Sequence, residues 1–148
     1  MIKAERSARV AWRGDLNNGS GRVTVGTGSL SEFGVSWPSR VEDPEGRTSP
    51  EELIASAHAS CFAMAMSGEL EKAGFAPDRL DVEARALIDD TGEGLSIKTM
   101  HLTVRGFAGG ADEQGFKRAA EAAGLGCPVS KALRGNVQIS VEAHFEGR

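Results

Sequence analysis

SPEELIASAHASCFAMAMSGELEKAGF, residues 49–75, carries the clearest structural signal in the chain. Ser49 is a good N-cap, Pro50 suits the first helical position, and Glu52 lies where a capping box needs it. Gly74 is placed to end the helix, because glycine readily adopts the left-handed conformation that follows a helix. The middle of the stretch is apolar nearly all round. The pattern predicts a helix of about 25 residues that is largely buried.

Alternating apolar residues predict strands on both sides of this helix. Before the helix they predict a hairpin of residues 8–12 and 22–25, and a weaker strand over residues 33–41 that Pro38 either confines to a sheet edge or ends. After it they predict strands over residues 80–88, 95–107 and 137–145 and helices over residues 112–123 and 127–133. This order of hairpins around a long central helix predicts an α+β fold with an antiparallel-rich sheet. We expect a single domain over residues 1–148.

Composition excludes several classes of protein. The chain of 148 residues has 17 Lys and Arg against 21 Asp and Glu, a net charge of −4. This mild acidity offers no basic surface to nucleic acid. No apolar run approaches the roughly 18 residues that span a membrane, and the start of the chain lacks the apolar segment of a secretory signal. We therefore expect a cytoplasmic protein without a nucleic-acid or membrane partner.

The sequence gives little support to a bound metal or cofactor. The three histidines, His58, His101 and His144, lie on three different predicted elements and form no closely spaced ligand pair. The Gly-x-Gly segments lack the further residues and the strand-to-helix context of a phosphate-binding loop. His58 is interpreted as a hydrogen-bonded core or interface residue. A hydrolase that uses His58 with Cys61 is a weaker hypothesis, because no orienting acid is evident.

The two cysteines are too few for a disulfide scaffold or for a zinc site made of cysteines alone. Cys61 lies in the apolar middle of the long helix, where a thiol is more often an inert core group. Cys127 directly precedes Pro128 at a predicted helix start, where free N–H groups and the helix dipole favour a thiolate. Position alone therefore favours Cys127 as the reactive thiol.

Two separated motifs give the chain a resemblance to a known family. Residues 49–75 resemble the active-site helix of the OsmC/Ohr family, the osmotically inducible and organic hydroperoxide resistance proteins. GLGCPVSKAL, residues 124–133, resembles the second cysteine motif of that family. The segments ARVAWRGDLNNGSGRVTVGTG, residues 8–28, and WPSRVED, residues 37–43, are similar to the OsmC branch. The resemblance covers essentially the whole chain.

The resemblance implies a thiol peroxidase that reduces organic hydroperoxides, and hydrogen peroxide more weakly, without a bound cofactor, in defence against oxidative or osmotic stress. It implies that Cys61 is the peroxidatic cysteine and Cys127 the resolving one, which reverses the order that helix position favours. It assigns the activating cation to Arg40, with Arg47 as the fallback, and the orienting carboxylate to Glu51. It also implies an interwound homodimer with sites at the subunit interface and an external dithiol reductant such as a lipoylated protein.

Elementary chemistry fits these roles. A free thiol, with a pKa of about 8.5, is mostly protonated at neutral pH, and a nearby guanidinium favours the thiolate. The planar fork of an arginine can also hold the peroxide oxygens as charge develops. Ten residues of helix span about 15 Å, so Glu51 cannot touch Cys61 across one straight helix. Either Arg40 bridges the two, or Glu51 serves a site built partly from the other chain.

The alternative from another class of protein is a non-catalytic α+β dimer that binds a small ligand or senses redox state. Its thiols would be inert or would form a regulatory disulfide. The response of the two thiols to a peroxide distinguishes these hypotheses.

Overall fold

The computed structural model describes residues 1–147, which form an α+β fold with two three-stranded sheets and four helices. The predicted fold class is therefore confirmed. By its contacts the chain divides into two compact units, residues 1–53 and residues 54–148, so the single domain stays a prediction. No helix within residues 1–147 combines the length and apolar character that crossing a membrane requires.

The first unit contains an antiparallel sheet of the strands β1 (Ala8–Arg13), β2 (Ser20–Val25) and β3 (Phe33–Val35), in that order. β1 and β2 form the predicted hairpin, with Ala8 opposite Val25. All six residues of β1 are exposed. This strand therefore offers an unburied surface in the single chain.

The weaker predicted strand over residues 33–41 is wrong beyond Val35, because a short helix, α1 (Pro38–Val41), replaces its second half. Proline lacks an N–H group and has a φ angle that suits a helix start, so Pro38 begins α1 instead of ending an edge strand. Ser36 and Ser39 hold this turn together. The Ser36 N–H donates to Ser39 Oγ at 3.0 Å, and Ser39 Oγ donates to the Thr48 carbonyl at 2.8 Å.

The long helix is α2 (Pro50–Lys72), and both of its predicted ends are confirmed. The Glu52 N–H donates to Ser49 Oγ at 3.1 Å, which is the expected N-cap hydrogen bond. Gly74 lies just beyond the helix with a φ angle of 83°, the left-handed conformation expected there. Local sequence signals are therefore sufficient to place this helix.

From Ile54 onward α2 belongs to the second unit, and its burial there is one-sided. Residues at every fourth position form a stripe of zero exposure: His58, Phe62, Met66 and Leu70. The other side remains exposed at Ala57, Ser60 and Met64, and Met64 is 74% exposed. The single chain thus buries one face of a helix whose sequence is apolar nearly all round.

The second sheet contains β4 (Ala76–Asp90), β5 (Leu95–Gly109) and β6 (Gln138–Phe145) in that order. β4 and β5 form the predicted long antiparallel hairpin, and β6 runs parallel to β5. The buried residues of this unit form one apolar cluster from α2, β5 and the helices that follow. The cluster includes Phe62, Met66, Leu70, Leu102, Val104, Phe116, Ala119, Ala120, Ala123 and Cys127.

Two helices, α3 (Glu113–Gly126) and α4 (Pro128–Leu133), lie between β5 and β6 in the chain. Asp112 caps α3 as predicted, since its Oδ1 accepts from the Gly115 N–H at 2.7 Å. The predicted stop at Gly124 is wrong, because α3 continues to Gly126. Gly124 instead permits close packing: a Cβ atom there would lie 2.9 Å from the Val141 side chain of β6. The continued helix places Cys127 directly after α3.

Candidate functional site

Cys127 lies at a junction between two helices. It is the C-cap of α3 and the N-cap of α4, and its N–H donates to the Ala123 carbonyl at 2.8 Å. Pro128 starts α4, as the sequence predicts, and prevents α3 from continuing because proline cannot supply the next helical hydrogen bond. The Cys127 side chain is fully buried. The fold thus holds this thiol inside the protein at the start of a helix.

Cys61 lies in the middle of α2 and is only partly buried. It packs against the apolar cluster that contains Cys127, and the two thiols are close enough to influence each other's ionisation. Both cysteines are free. The structure therefore brings together two thiols that are far apart in sequence, as the predicted thiol pair requires.

The surroundings shift the pKa values of the two thiols in opposite directions. Burial raises the pKa of Cys61, and the hydrogen bond to Cys127 raises it further, while the Val129 N–H acts the other way. Burial also disfavours the Cys127 thiolate, but the nearby Ser130 N–H, Cys61 thiol and Ser130 hydroxyl stabilise it, and the pKa of Cys127 is lowered. The Cys127 side chain does not form an N-cap hydrogen bond. The direction agrees with the inference from helix position.

His58 lies on the buried stripe of α2 and reaches α4. Its Nε2 lies 2.7 Å from Ser130 Oγ, and both residues have zero exposure. Burial lowers the pKa of His58, so the imidazole favours its neutral form. The interpretation of His58 as a hydrogen-bonded core residue is confirmed. Its partner Ser130 was missed in the sequence, although its place three residues after the N-cap is where side chains often face a helix start.

The first unit contains the predicted cation and carboxylate, and they form an ion pair. Arg40 on α1 donates from Nε to both Glu51 carboxylate oxygens at 3.2 Å, and its Nη2 also contacts Oε1. Glu51 is 5% exposed. The Arg40 guanidinium carbon lies 5.2 Å from the centre of the Trp37 ring, a second contact that fixes the fork. The contact of Trp37 with Arg40 and the α1 turn were not predicted from the sequence, although residues 37–43 belong to the segment that resembles the OsmC branch.

Arg47, the fallback cation, is exposed and makes no ion pair among residues 1–147. Its side chain lies over the backbone of Gly34. Of the two arginines, Arg40 is therefore the one whose guanidinium is held in place by a carboxylate. Within the same described range, no three His, Cys, Asp or Glu side chains cluster in a way that could hold a metal ion.

The sequence and fold are similar to those of several known proteins. Peroxiredoxin OsmC of Escherichia coli (strain K12) is 34% identical over 137 residues, which cover 93% of this chain and 95% of the relative. The crystal structure of the organic hydroperoxide resistance protein OhrB of Bacillus subtilis is 28% identical, with a TM-score of 0.72 over 93% of this chain and 97% of that one.

An organic hydroperoxide resistance protein OsmC from Legionella pneumophila shares the fold at 21% identity, with a TM-score of 0.77 over 97% of this chain and 99% of that one. The family model described as OsmC-like protein matches residues 43–142, which include both cysteines and Glu51. The family match covers most of the chain, and the resemblance of the two cysteine motifs is confirmed. The chain belongs to the OsmC-like protein family.

Proposed function

We propose that this protein is a cytoplasmic thiol peroxidase that reduces organic hydroperoxides to alcohols, and hydrogen peroxide more weakly, in defence against oxidative or osmotic stress. The observation that carries the proposal is the contact between two free thiols in unlike surroundings. The names of the relatives, a peroxiredoxin and an organic hydroperoxide resistance protein, support the same class of reaction.

The reaction begins with attack of the Cys61 sulfur on the outer oxygen of the hydroperoxide. The O–O bond breaks, the sulfur is oxidised to a sulfenic acid, and the alkoxide takes up a proton to leave as an alcohol. The Cys127 sulfur then attacks the sulfenic sulfur. This step forms the Cys61–Cys127 disulfide and releases water. An external dithiol, such as a lipoylated protein, reduces the disulfide by exchange.

Access to solvent supports Cys61 as the site of the first step. A peroxide must reach the attacking sulfur, and Cys61 is partly exposed whereas Cys127 has zero exposure. Cys127 needs to reach only the sulfur beside it. This assignment gives the better ionised thiol the resolving role and the better exposed thiol the peroxidatic role.

Arg40 is proposed as the cation that favours the Cys61 thiolate and holds the peroxide oxygens. Its contacts with Glu51 and with Trp37 support this role, because a fixed guanidinium loses little orientational freedom when it acts on a transition state. Within residues 1–147, Arg47 has no comparable carboxylate partner.

A second copy of the chain is proposed to cover the exposed side of α2 and the exposed strand β1, as an interwound homodimer. Met64 at 74%, Val10 at 52% and Trp12 at 42% exposure are large apolar groups of the kind that subunit interfaces cover. Light scattering coupled to gel filtration tests this. We expect a dimer for the unmodified chain and a monomer for Met64→Lys. A matched substitution of an exposed charge, Lys117→Glu, should leave the dimer intact.

Mass spectrometry of the reduced protein after one equivalent of cumene hydroperoxide tests the activity itself. We expect the mass of an intramolecular disulfide within seconds, and a Cys61–Cys127 peptide after digestion without reductant. The Cys127→Ser variant is the matched control, which should gain one oxygen and form no intramolecular disulfide. Two unchanged thiols in the unmodified protein would reject the peroxidase and favour a non-catalytic binding role.

A further inference from the structure

A buried polar contact joins α2, which contains Cys61, to α4, which begins at Cys127. His58 of α2 and Ser130 of α4 both have zero exposure, and His58 Nε2 lies 2.7 Å from Ser130 Oγ. The reaction proposed above uses neither residue. Taking an imidazole and a hydroxyl out of water costs free energy unless the two groups find partners, so the fold is stabilised when this contact stays intact.

The contact lies about one helical turn from each thiol. His58 precedes Cys61 by three residues on α2, and Ser130 follows Cys127 by three residues at the start of α4. Residues three apart on a helix are neighbours on its surface. The polar contact and the thiol pair therefore connect the same two stretches of backbone side by side. A shift of α4 away from α2 lengthens both distances.

Few side chains of α4 are buried against the rest of its unit. Within Pro128–Leu133, Ser130 is the buried residue. Val129 packs on the apolar cluster but is only partly buried. Arg134, just after the helix, donates from Nη2 to a carbonyl of α3 at 2.7 Å, which ties the end of α4 to α3 and not to α2. The contact of Ser130 with His58 is therefore important for holding α4 against α2.

The second ring nitrogen of His58 has no partner that could replace Ser130. His58 Nδ1 is buried and makes no hydrogen bond among residues 1–147. Loss of the Ser130 hydroxyl would leave both nitrogens of a fully buried ring without a hydrogen bond in that range, which is costly. We therefore expect a change at either residue to be felt at the junction of α2 and α4.

We propose that His58 and Ser130 are positioning residues that hold the Cys127 sulfur within bonding reach of Cys61. A disulfide forms only when the two Cβ atoms are about 3.5–4.5 Å apart, so small displacements of α4 change the chance of bond formation steeply. The contact thereby raises the effective concentration of one thiol at the other. Its role in the peroxidase cycle rests on the proposed function, whereas its role in the thiol–disulfide equilibrium does not.

In the peroxidase cycle the contact acts on the second step. The Cys127 thiol gives up its proton, and its sulfur attacks the sulfenic sulfur of Cys61. The S–S bond forms, the S–O bond breaks, and the leaving hydroxide combines with that proton to give water. When this step is slow, a second hydroperoxide can oxidise the sulfenic acid to a sulfinic acid and leave as an alcohol. Close positioning of Cys127 favours the disulfide over this damage.

Equilibration with reduced and oxidised glutathione tests the positioning role without any peroxide. One oxidised glutathione takes two electrons from the thiol pair, which gives the Cys61–Cys127 disulfide and two reduced glutathiones, so the equilibrium constant reports the effective concentration of the thiols. We expect Ser130→Ala to lower this constant by up to about tenfold, the equivalent of one ordinary hydrogen bond. His58→Leu should lower it similarly, and His58→Gln, which can still hydrogen-bond, should restore part of the loss.

The double variant of His58→Leu and Ser130→Ala sharpens this test. Both substitutions remove the same contact, so the double variant should fall no further than the weaker single variant. The matched control is a second histidine–serine contact in the same unit, in which His101 Nδ1 meets Ser140 Oγ between β5 and β6. Ser140→Ala should keep the constant within about twofold of the unmodified value.

Unchanged equilibrium constants in the folded single variants would overturn the positioning role, and so would an equal fall in Ser140→Ala. Circular dichroism shows which variants are folded. Ser130→Ala removes a single oxygen atom, so it decides the test alone if His58→Leu does not fold.

Single-turnover mixing with cumene hydroperoxide tests the role in the cycle. In Ser130→Ala the step from sulfenic acid to disulfide should be slower by up to about tenfold. Dimedone should trap more sulfenic acid on Cys61, and excess peroxide should give more sulfinic acid. An unchanged rate of disulfide formation would overturn this role. Failure of the peroxidase function itself would look different, because peroxide would oxidise no thiol while the glutathione equilibrium still responded to Ser130→Ala.

Discussion

Cys61 and Cys127 contrast in nearly every property that governs the reactivity of a thiol. Cys61 lies within α2, where the backbone N–H groups around it are engaged in the helix, so its activation needs a group from elsewhere. Cys127 lies at the start of α4, where N–H groups are free of helical partners. Yet Cys61 is partly exposed and Cys127 is fully buried. The contrast teaches that ionisation and access need not reside on one sulfur, because two thiols in contact can divide them.

The largest expected effect separates the two roles. Cys61→Ser should abolish peroxide consumption, because the one remaining thiol, Cys127, is fully buried. Cys127→Ser should consume one equivalent of cumene hydroperoxide per chain and then stop, with a sulfenic acid on Cys61 that dimedone traps. A ferric xylenol orange assay follows the loss of peroxide. Loss of even the first turnover in Cys127→Ser would make the buried thiol the peroxidatic one.

The next effect concerns Arg40, the cation that is proposed to act on Cys61. Arg40→Ala should slow oxidation of Cys61 by about a hundredfold, the usual loss when one preorganised charge-stabilising group is removed. Arg40→Lys should restore little of the lost oxidation rate, because an ammonium group cannot reproduce the planar guanidinium that Glu51 holds. Stopped-flow measurement of the second-order rate constant checks both changes.

Arg47→Ala is the matched control for this prediction, since Arg47 is exposed and lacks an ion pair within residues 1–147. Its rate constant should stay within about twofold of the unmodified value. If Arg47→Ala is the slower variant, the activating role passes from Arg40 to Arg47.

In the proposed dimer, mixed dimers test which chain supplies Arg40 to Cys61. Co-expression of Cys61→Ser and Arg40→Ala chains with two different tags gives heterodimers in which each chain lacks one required group. Substantial peroxidase activity in the purified heterodimer is expected if Arg40 acts on Cys61 of the partner subunit. Background activity is expected if each site takes Arg40 from its own chain. Peptide mapping of the resulting disulfide identifies the active chain.

The smallest expected effect is on the pH dependence of stability and arises from His58, which hydrogen-bonds with Ser130 of α4. The pKa of His58 lies below its ordinary value of 6.5 in the folded chain because burial disfavours the imidazolium. Below about pH 6.5 the unfolded chain therefore binds a proton that the folded chain does not, and acidification favours unfolding. The contribution of buried, neutral His58 to the free energy of unfolding is complete above this pH. It is lost as the pH falls toward the pKa of His58 in the folded chain.

His58→Gln should remove this contribution, because glutamine does not titrate. Urea unfolding between pH 7 and pH 5 should show a flatter loss of stability in the variant, by up to about 1.4 kcal/mol per pH unit for one proton. Parallel slopes for the two proteins would mean that His58 titrates alike when folded and unfolded.

The sequence by itself determined the order of the elements apart from α1, the α+β class and the ends of α2. It did so because these features depend on local signals: the period of apolar residues, the Ser49 cap and the left-handed Gly74. The same signals placed Cys127 at a helix start. The local signals were misleading at Pro38, because proline is compatible both with an edge strand and with a helix start. The hydrogen bond from Ser39 to the Thr48 carbonyl favours the helix.

Only the tertiary structure decided which side chains meet. His58 and Ser130 are 72 residues apart in sequence and 2.7 Å apart at their polar atoms, and no periodicity encodes that contact. The choice of Arg40 over Arg47 as the partner of Glu51 depends in the same way on how α1 is folded. Packing also decides that Cys61 is partly exposed and that Cys127 is buried near Ser130. These properties depend on the surrounding elements and not on either cysteine motif.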